Sequence, residues 1–140
     1  MITTIRLAEV LLDAGEPFEA LRVLAPIEHR LTGQAQGQLL LGRVYYQTAQ
    51  LSRAQRACEN AVRLRPLDDT AHFLLGCVFE QRGRDAEAAE HFRTAVALSP
   101  QPAYRERLEQ VLDRLSSATS PSRFEDGDPD GRLGQRSRSA

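Results

Sequence analysis

The chain has 140 residues, 41% of them hydrophobic and 26% charged, which suits one folded domain, or one domain with a tail, rather than a wholly disordered polymer. Its net charge of −1 supplies no general attraction for nucleic acid or an acidic membrane. All 18 basic residues are arginine, so Schiff-base, phosphate-loop-lysine and lysine general-base chemistry are excluded.

The first stretch, Thr3 to Ala14, alternates apolar residues with Arg6, Glu9 and Asp13 at helical spacing, and so resembles neither a signal peptide nor a membrane anchor. Gly15 ends it, and Pro17 suits the first turn of a second helix running to Arg30. A second pair is predicted over Ala35 to Thr48 and Leu51 to Arg65, closed by Pro66. A third spans Ala71 to Arg82, stopped by Gly83, and Asp85 to Leu98, ended by Pro100. Tyr104 to Leu115 is one more amphipathic helix, with Leu108, Val111, Leu112 and Leu115 on one side and Arg107 and Arg114 among the charges on the other. From Ser116 onward Ser, Pro, Gly and Asp dominate, and residues 116–140 read as a disordered tail.

The three pairs share a register. Leu41, Gly42, Tyr45, Ala54, Cys58, Ala61 and Pro66 return 34 residues later as Leu75, Gly76, Phe79, Ala88, Phe92, Ala95 and Pro100. A worn copy stands 34 residues earlier, as Leu7, Ala8, Leu11, Ala20, Leu24, Ile27 and Thr32. A fixed period of this length signals stacked units, each too small to bury its own apolar face. The small residues Gly42, Ala54, Gly76 and Ala88 mark where the helices of one unit approach most closely, with Tyr45, Phe79 and Phe92 filling the space beside them.

These residues resemble the tetratricopeptide repeat (TPR) pattern W-x2-L-G-x2-Y, A-x3-F, A and P. The second copy reads Q-x2-L-G-x2-Y over Gln38 to Tyr45, and the third H-x2-L-G-x2-F over His72 to Phe79. The resemblance implies an all-α helix-turn-helix solenoid of about seven helices: a TPR domain over 1–115, with repeats at 1–34, 35–68 and 69–102 and a capping helix at 103–115. It further implies that the first helix of each repeat lines a concave groove. The groove positions are Ile2, Ile5, Glu9, Leu12 and Asp13, then Gln36, Leu39, Arg43, Tyr46 and Gln47, then Thr70, Phe73, Cys77, Glu80 and Gln81. Of these, Ile5, Glu9, Leu39, Arg43, Tyr46, Gln47, Phe73, Cys77 and Glu80 form the expected partner-binding set.

The family's carboxylate clamp uses lysines and asparagines at groove positions. A chain without lysine does not fit it, and an amphipathic or extended apolar segment suits this groove better, with Arg43 holding one acidic group. The expected function is therefore a non-enzymatic protein-binding module. The alternatives are a small assembly or secretion-type chaperone, or a homo-oligomeric structural protein; the competing reading of the groove is that the chain's own capping helix, or a second copy, partly fills it.

The remaining constellations carry less. His29, His72 and His91 have no zinc-holding spacing, although Glu87 and His91 could pair on a helix surface. Cys58 and Cys77 are too few for a disulfide framework and read as small buried hydrophobes, with Cys77 the more accessible; a cytoplasmic setting follows. Asp126, Asp128, Asp130, Gly131 and Leu133 resemble part of a calcium loop, but Ser137 stands where its bidentate glutamate belongs. No catalytic triad, glycine-rich phosphate loop or carboxylate pair emerges, so no cofactor, metal, nucleic acid or membrane partner is expected. The arginine, alanine and leucine bias points to a GC-rich, bacterial genome.

Overall fold

The computed structural model describes residues 2–119. Among these, seven α-helices follow one another without a strand: α1 (Ile2–Asp13), α2 (Pro17–Leu24), α3 (Ala35–Gln47), α4 (Leu51–Leu64), α5 (Asp69–Gln81), α6 (Asp85–Leu98) and α7 (Pro102–Thr119). The calcium-loop-like stretch and the rest of the expected tail from residue 120 lie outside the described residues.

The pairs α1/α2, α3/α4 and α5/α6 pack internally, and α2 meets α3, α4 meets α5 and α6 meets α7. The first helices of successive pairs also touch, α1 with α3 and α3 with α5, which lays them side by side. Each unit thus leans only on its neighbours, as stacked repeats must.

Burial follows the register. Ala20, Ala54 and Ala88 are all fully buried, as are Leu24, Cys58 and Phe92 one turn later. Gly42 and Gly76 sit opposite them, and a methyl group added at Gly76 would stand 2.6 Å from the Phe92 ring. The turn inside each repeat needs a left-handed residue at one place: Gly15 and Gly83 have φ of 80° and 76°, and Ala49 holds φ of 61° there without glycine's freedom.

Three helices differ from the sequence expectation by more than one residue. The second helix ends as α-helix at Leu24 and continues to Arg30 as a 3-10 helix, because Pro26 has no N–H to give the ladder and its ring crowds the preceding turn. The fifth helix starts two residues early, at Asp69, since the Asp68 carboxylate accepts the Thr70 and Ala71 backbone N–H groups at 3.0 and 3.4 Å. The capping helix runs from Pro102 to Thr119, so residues 116–119, assigned in advance to the tail, are helical. Pro102 stands in its first turn, and no glycine or proline interrupts the run from Ala103 to Thr119.

The third repeat contains a histidine pair that the spacing did not suggest. His72 Nε2 donates to the Pro66 carbonyl at 2.8 Å, which leaves its Nδ1 facing His91 Nδ1 at 3.3 Å. Glu87, the expected companion of His91, is taken by Arg84 instead, at 2.7 and 3.1 Å. Burial, and then the nearness of His72, hold the His91 imidazole below its ordinary value of 6.5, against the opposing pull of Glu90, Glu59 and Glu87.

The sign of the pH effect follows. The fold prefers His91 neutral, so the unfolded chain takes up its proton first on acidification. This stabilisation is complete above about 6.5 and is lost as the pH falls through the lowered folded value. Thermal melts between about pH 7.5 and 5 should therefore fall more steeply for wild type than for His91→Gln. Parallel slopes would remove the histidine pair as the cause.

Candidate functional site

The concave strip begins with the faces that α1 and α3 turn away from their own second helices. Ile5 and Glu9 on α1, and Leu39, Arg43 and Tyr46 on α3, are half-buried, whereas Gln36 and Gln47 are exposed. Two polar bridges tie the helices together: Gln36 Nε2 donates to Glu9 at 3.2 Å, and the Arg43 guanidinium to Asp13 at 3.4 Å. Arg43 and Asp13 keep 36% and 74% of their side chains exposed, so this ion pair holds Arg43 only loosely and leaves it able to exchange partners.

Two expected groove residues belong to the core instead. Leu12 is 4% exposed because it faces inward from α1, and Cys77 is also 4% exposed. Burial pushes the Cys77 thiol up to about 11 and the Cys58 thiol up to about 12, so both stay protonated at neutral pH. Cys77 is a packing residue rather than an accessible thiol.

In the third repeat the groove face is occupied by α7. Tyr104 stacks on Phe73 with ring centroids 4.5 Å apart, and its hydroxyl donates to Asp69 at 2.7 Å. Arg107 donates to Glu80 through Nε at 3.2 Å and Nη2 at 2.5 Å, with its guanidinium 5.7 Å from the centroids of Phe73 and Phe92. Arg114 reaches the other Glu80 oxygen at 2.6 Å and Asp85 at 3.1 Å. Phe73 and Glu80, expected to face a partner, therefore hold the chain's own capping helix, and only Thr70 and Gln81 of that set are exposed.

Arg107 also approaches the Tyr46 hydroxyl, whose pKa burial raises. The strip of α1 and α3 thus has an end wall made by α7. Tyr104, Arg107 and Arg114 are the residues that reading the repeats did not bring to the site.

A separate polar cleft of about 310 Å³ lies on the opposite side of α3, lined by Glu28, Gln38, Tyr45, Arg53, Arg56 and Asn60 among others. The Tyr45 hydroxyl donates to Glu28 at 2.8 Å, and Gln38 and Asn60 bond each other at 3.1 Å. The Tyr45–Glu28 bond ties the first repeat to the second, and the Gln38–Asn60 bond joins α3 to α4. Among the described residues no cluster of three or more His, Cys, Asp or Glu side chains could hold a metal ion. No described helix is long and apolar enough to cross a membrane.

Comparison with known proteins agrees with this architecture. Residues 39–102 match the model of the tetratricopeptide repeat family. No curated protein sequence matches the chain. The first TPR domain of human RPAP3 superposes with a TM-score of 0.74 at 15% identity, covering 83% of this chain and 92% of that one. The first TPR of Spaghetti (RPAP3), bound to an HSP90 peptide, gives 0.76 at 15% identity, covering 82% and 92%. The Yersinia enterocolitica type III secretion chaperone SycD, in complex with a peptide of the translocator YopD, gives 0.70 at 18% identity, covering 84% and 93%. At these identities the likeness is one of fold. Residues 39–102 are matched as tetratricopeptide repeats, and the described residues share the helical-repeat fold of TPR structures.

Proposed function

We propose that the chain is a non-enzymatic protein-interaction module that receives a segment of a partner protein along the strip formed by α1 and α3. The supporting observation is the way the concave face is divided. The third repeat is closed by α7, while Ile5, Glu9, Leu39, Arg43, Tyr46 and Gln47 remain half-buried or exposed on the first two. Leu39, Ile5 and Tyr46 offer apolar contact, and Arg43 offers one exchangeable cation for an acidic side chain. An amphipathic or extended apolar segment is the matching ligand. Phe73, Cys77 and Glu80 leave the partner-binding set in this reading and become supports for the end wall.

The fold has precedent for such use, since the Spaghetti and SycD structures each hold a peptide. The setting we propose is cytoplasmic, consistent with two unpaired, buried cysteines. A narrower form of the same reading, a small assembly or secretion-type chaperone, is distinguished by stoichiometric protection of one client from aggregation.

The test is quantitative capture from native extract with wild type, an Arg43→Glu/Tyr46→Ala double variant, and Arg53→Glu as a control on the opposite cleft. The expected result is a partner recovered equally by wild type and control and reduced roughly tenfold or more by the double variant, as for loss of central contacts. Equal recovery by all three would place binding elsewhere.

A further inference from the structure

The two ends of the stack are finished differently. Leu41 and Val44 in the second repeat are 2% and 0% exposed, and Leu75 and Val78 in the third are likewise 2% and 0% exposed. The same register positions in the first repeat carry the same residues, Leu7 and Val10, yet these are 48% and 57% exposed. The difference is a neighbour: a preceding repeat packs on the second and third pairs, and among the described residues none packs on α1. Of the five large apolar side chains exposed among the described residues, four (Ile2, Leu7, Val10 and Phe18) belong to this first pair. Ile2, Thr3, Arg6, Leu7 and Val10 line a shallow, mainly apolar depression of about 420 Å³. The first repeat therefore carries an interior surface on its outside.

The opposite end cannot cover it. There α7 turns Arg105, Glu106, Glu109, Gln110 and Asp113 to solvent, so head-to-tail stacking of copies would set an apolar face on a charged one. The α1 face does complement itself. In an antiparallel pairing about a twofold axis, Leu7 of one copy meets Val10 of the other, and symmetry makes the reciprocal contact. Arg6, exposed on the same face, then lies beside the acidic end of the other copy's α1, which holds Asp13 and is followed by exposed Glu16. The two helix dipoles also run in opposite directions, each positive end beside a negative one.

We propose that this face is a homodimer contact in which α1 packs antiparallel on α1 of a second copy. The contact is separate from the partner strip: Ile5 and Glu9 lie on the groove side of α1, so a dimer keeps both strips open.

Sedimentation equilibrium of the full chain, from a few to several hundred micromolar, tests it. The expected result is a mass rising from 15.6 kDa toward twice that value and no further. Val10→Glu should remain monomeric throughout while keeping wild-type helicity and a cooperative melt, since its side chain already stands in solvent. Arg6→Glu should weaken the dimer roughly tenfold or more, and adding Glu16→Arg should recover much of the loss, as for a complementary charge pair. A wild type that stays monomeric, assembly beyond two copies, or Val10→Glu self-association at the wild-type level would each overturn the proposal.

Discussion

Replacing Gly76 by alanine is expected to cost roughly 1–3 kcal/mol in the native sequence, and to cost nothing once Phe92 is also alanine. The added methyl would stand 2.6, 2.7 and 3.1 Å from three carbons of the Phe92 ring, closer than packed carbons approach. The ring has no solvent to move into, being fully buried, and it is held by Phe73 at 5.4 Å and by the Arg107 guanidinium. Phe92→Ala alone should cost about 3–5 kcal/mol, because it empties the space around which the third repeat packs. In that background alanine at position 76 meets a cavity instead of a ring. It also restores the helix propensity that glycine lacks, worth about 1 kcal/mol. Urea denaturation of the two single variants and the double variant measures the coupling. A Gly76→Ala penalty of equal size in both backgrounds would mean that the glycine serves something other than this contact.

Removal of the Glu80 carboxylate should loosen α7. Its side chain is 13% exposed and accepts from both Arg107 and Arg114, whose side chains are 31% and 46% exposed. Glu80→Ala leaves the more covered of the two, Arg107, beside aromatic rings without its main anion. The expected cost is about 1–3 kcal/mol, reduced from a fully buried pair because both arginines keep contact with water. Hydrogen exchange localises the effect: amides of α7 should exchange roughly tenfold faster or more, with those of α3 and α4 little changed. The Cys77 thiol should become accessible to a neutral alkylating reagent in the same variant. Unaltered protection of α7 would show that its packing on α6 and the Tyr104 contacts hold the cap without this carboxylate.

The sequence made the stack legible because the residues that build it recur at fixed places. Gly42 and Gly76, Ala54 and Ala88, and the large residues beside them are packed as the register requires. The face expected to line the groove stays open only in the first two repeats, and even there Leu12 turns into the core. Phe73, Cys77 and Glu80 occupy groove positions of an ordinary interior repeat, but here the next element is the cap. The partners of Glu80 lie 27 and 34 residues downstream, on what reads locally as the polar side of an amphipathic helix. No local pattern distinguishes an arginine that meets water from one that folds back on a glutamate. The histidine pair escaped for the same reason, since His72 and His91 meet across two helices. Pro26 is a local signal of a helix break, yet the expected second helix runs through it to Arg30.

The broken second helix of the first pair decides the order in which this molecule comes apart. A row of units that lean only on their neighbours frays from its ends rather than collapsing all at once. At one end α7 acts as a clasp. At the other, α2 loses its α-helical ladder after Leu24, and in a single copy α1 has an uncovered flank, so thermal opening of the monomer should enter there and travel inward. The helix that contributes Ile5 and Glu9 is thus expected to open first in the monomer. A guest lying across α1 and α3 would bolt that loose unit to the middle one, and part of its affinity would be measurable as heat resistance given to the host.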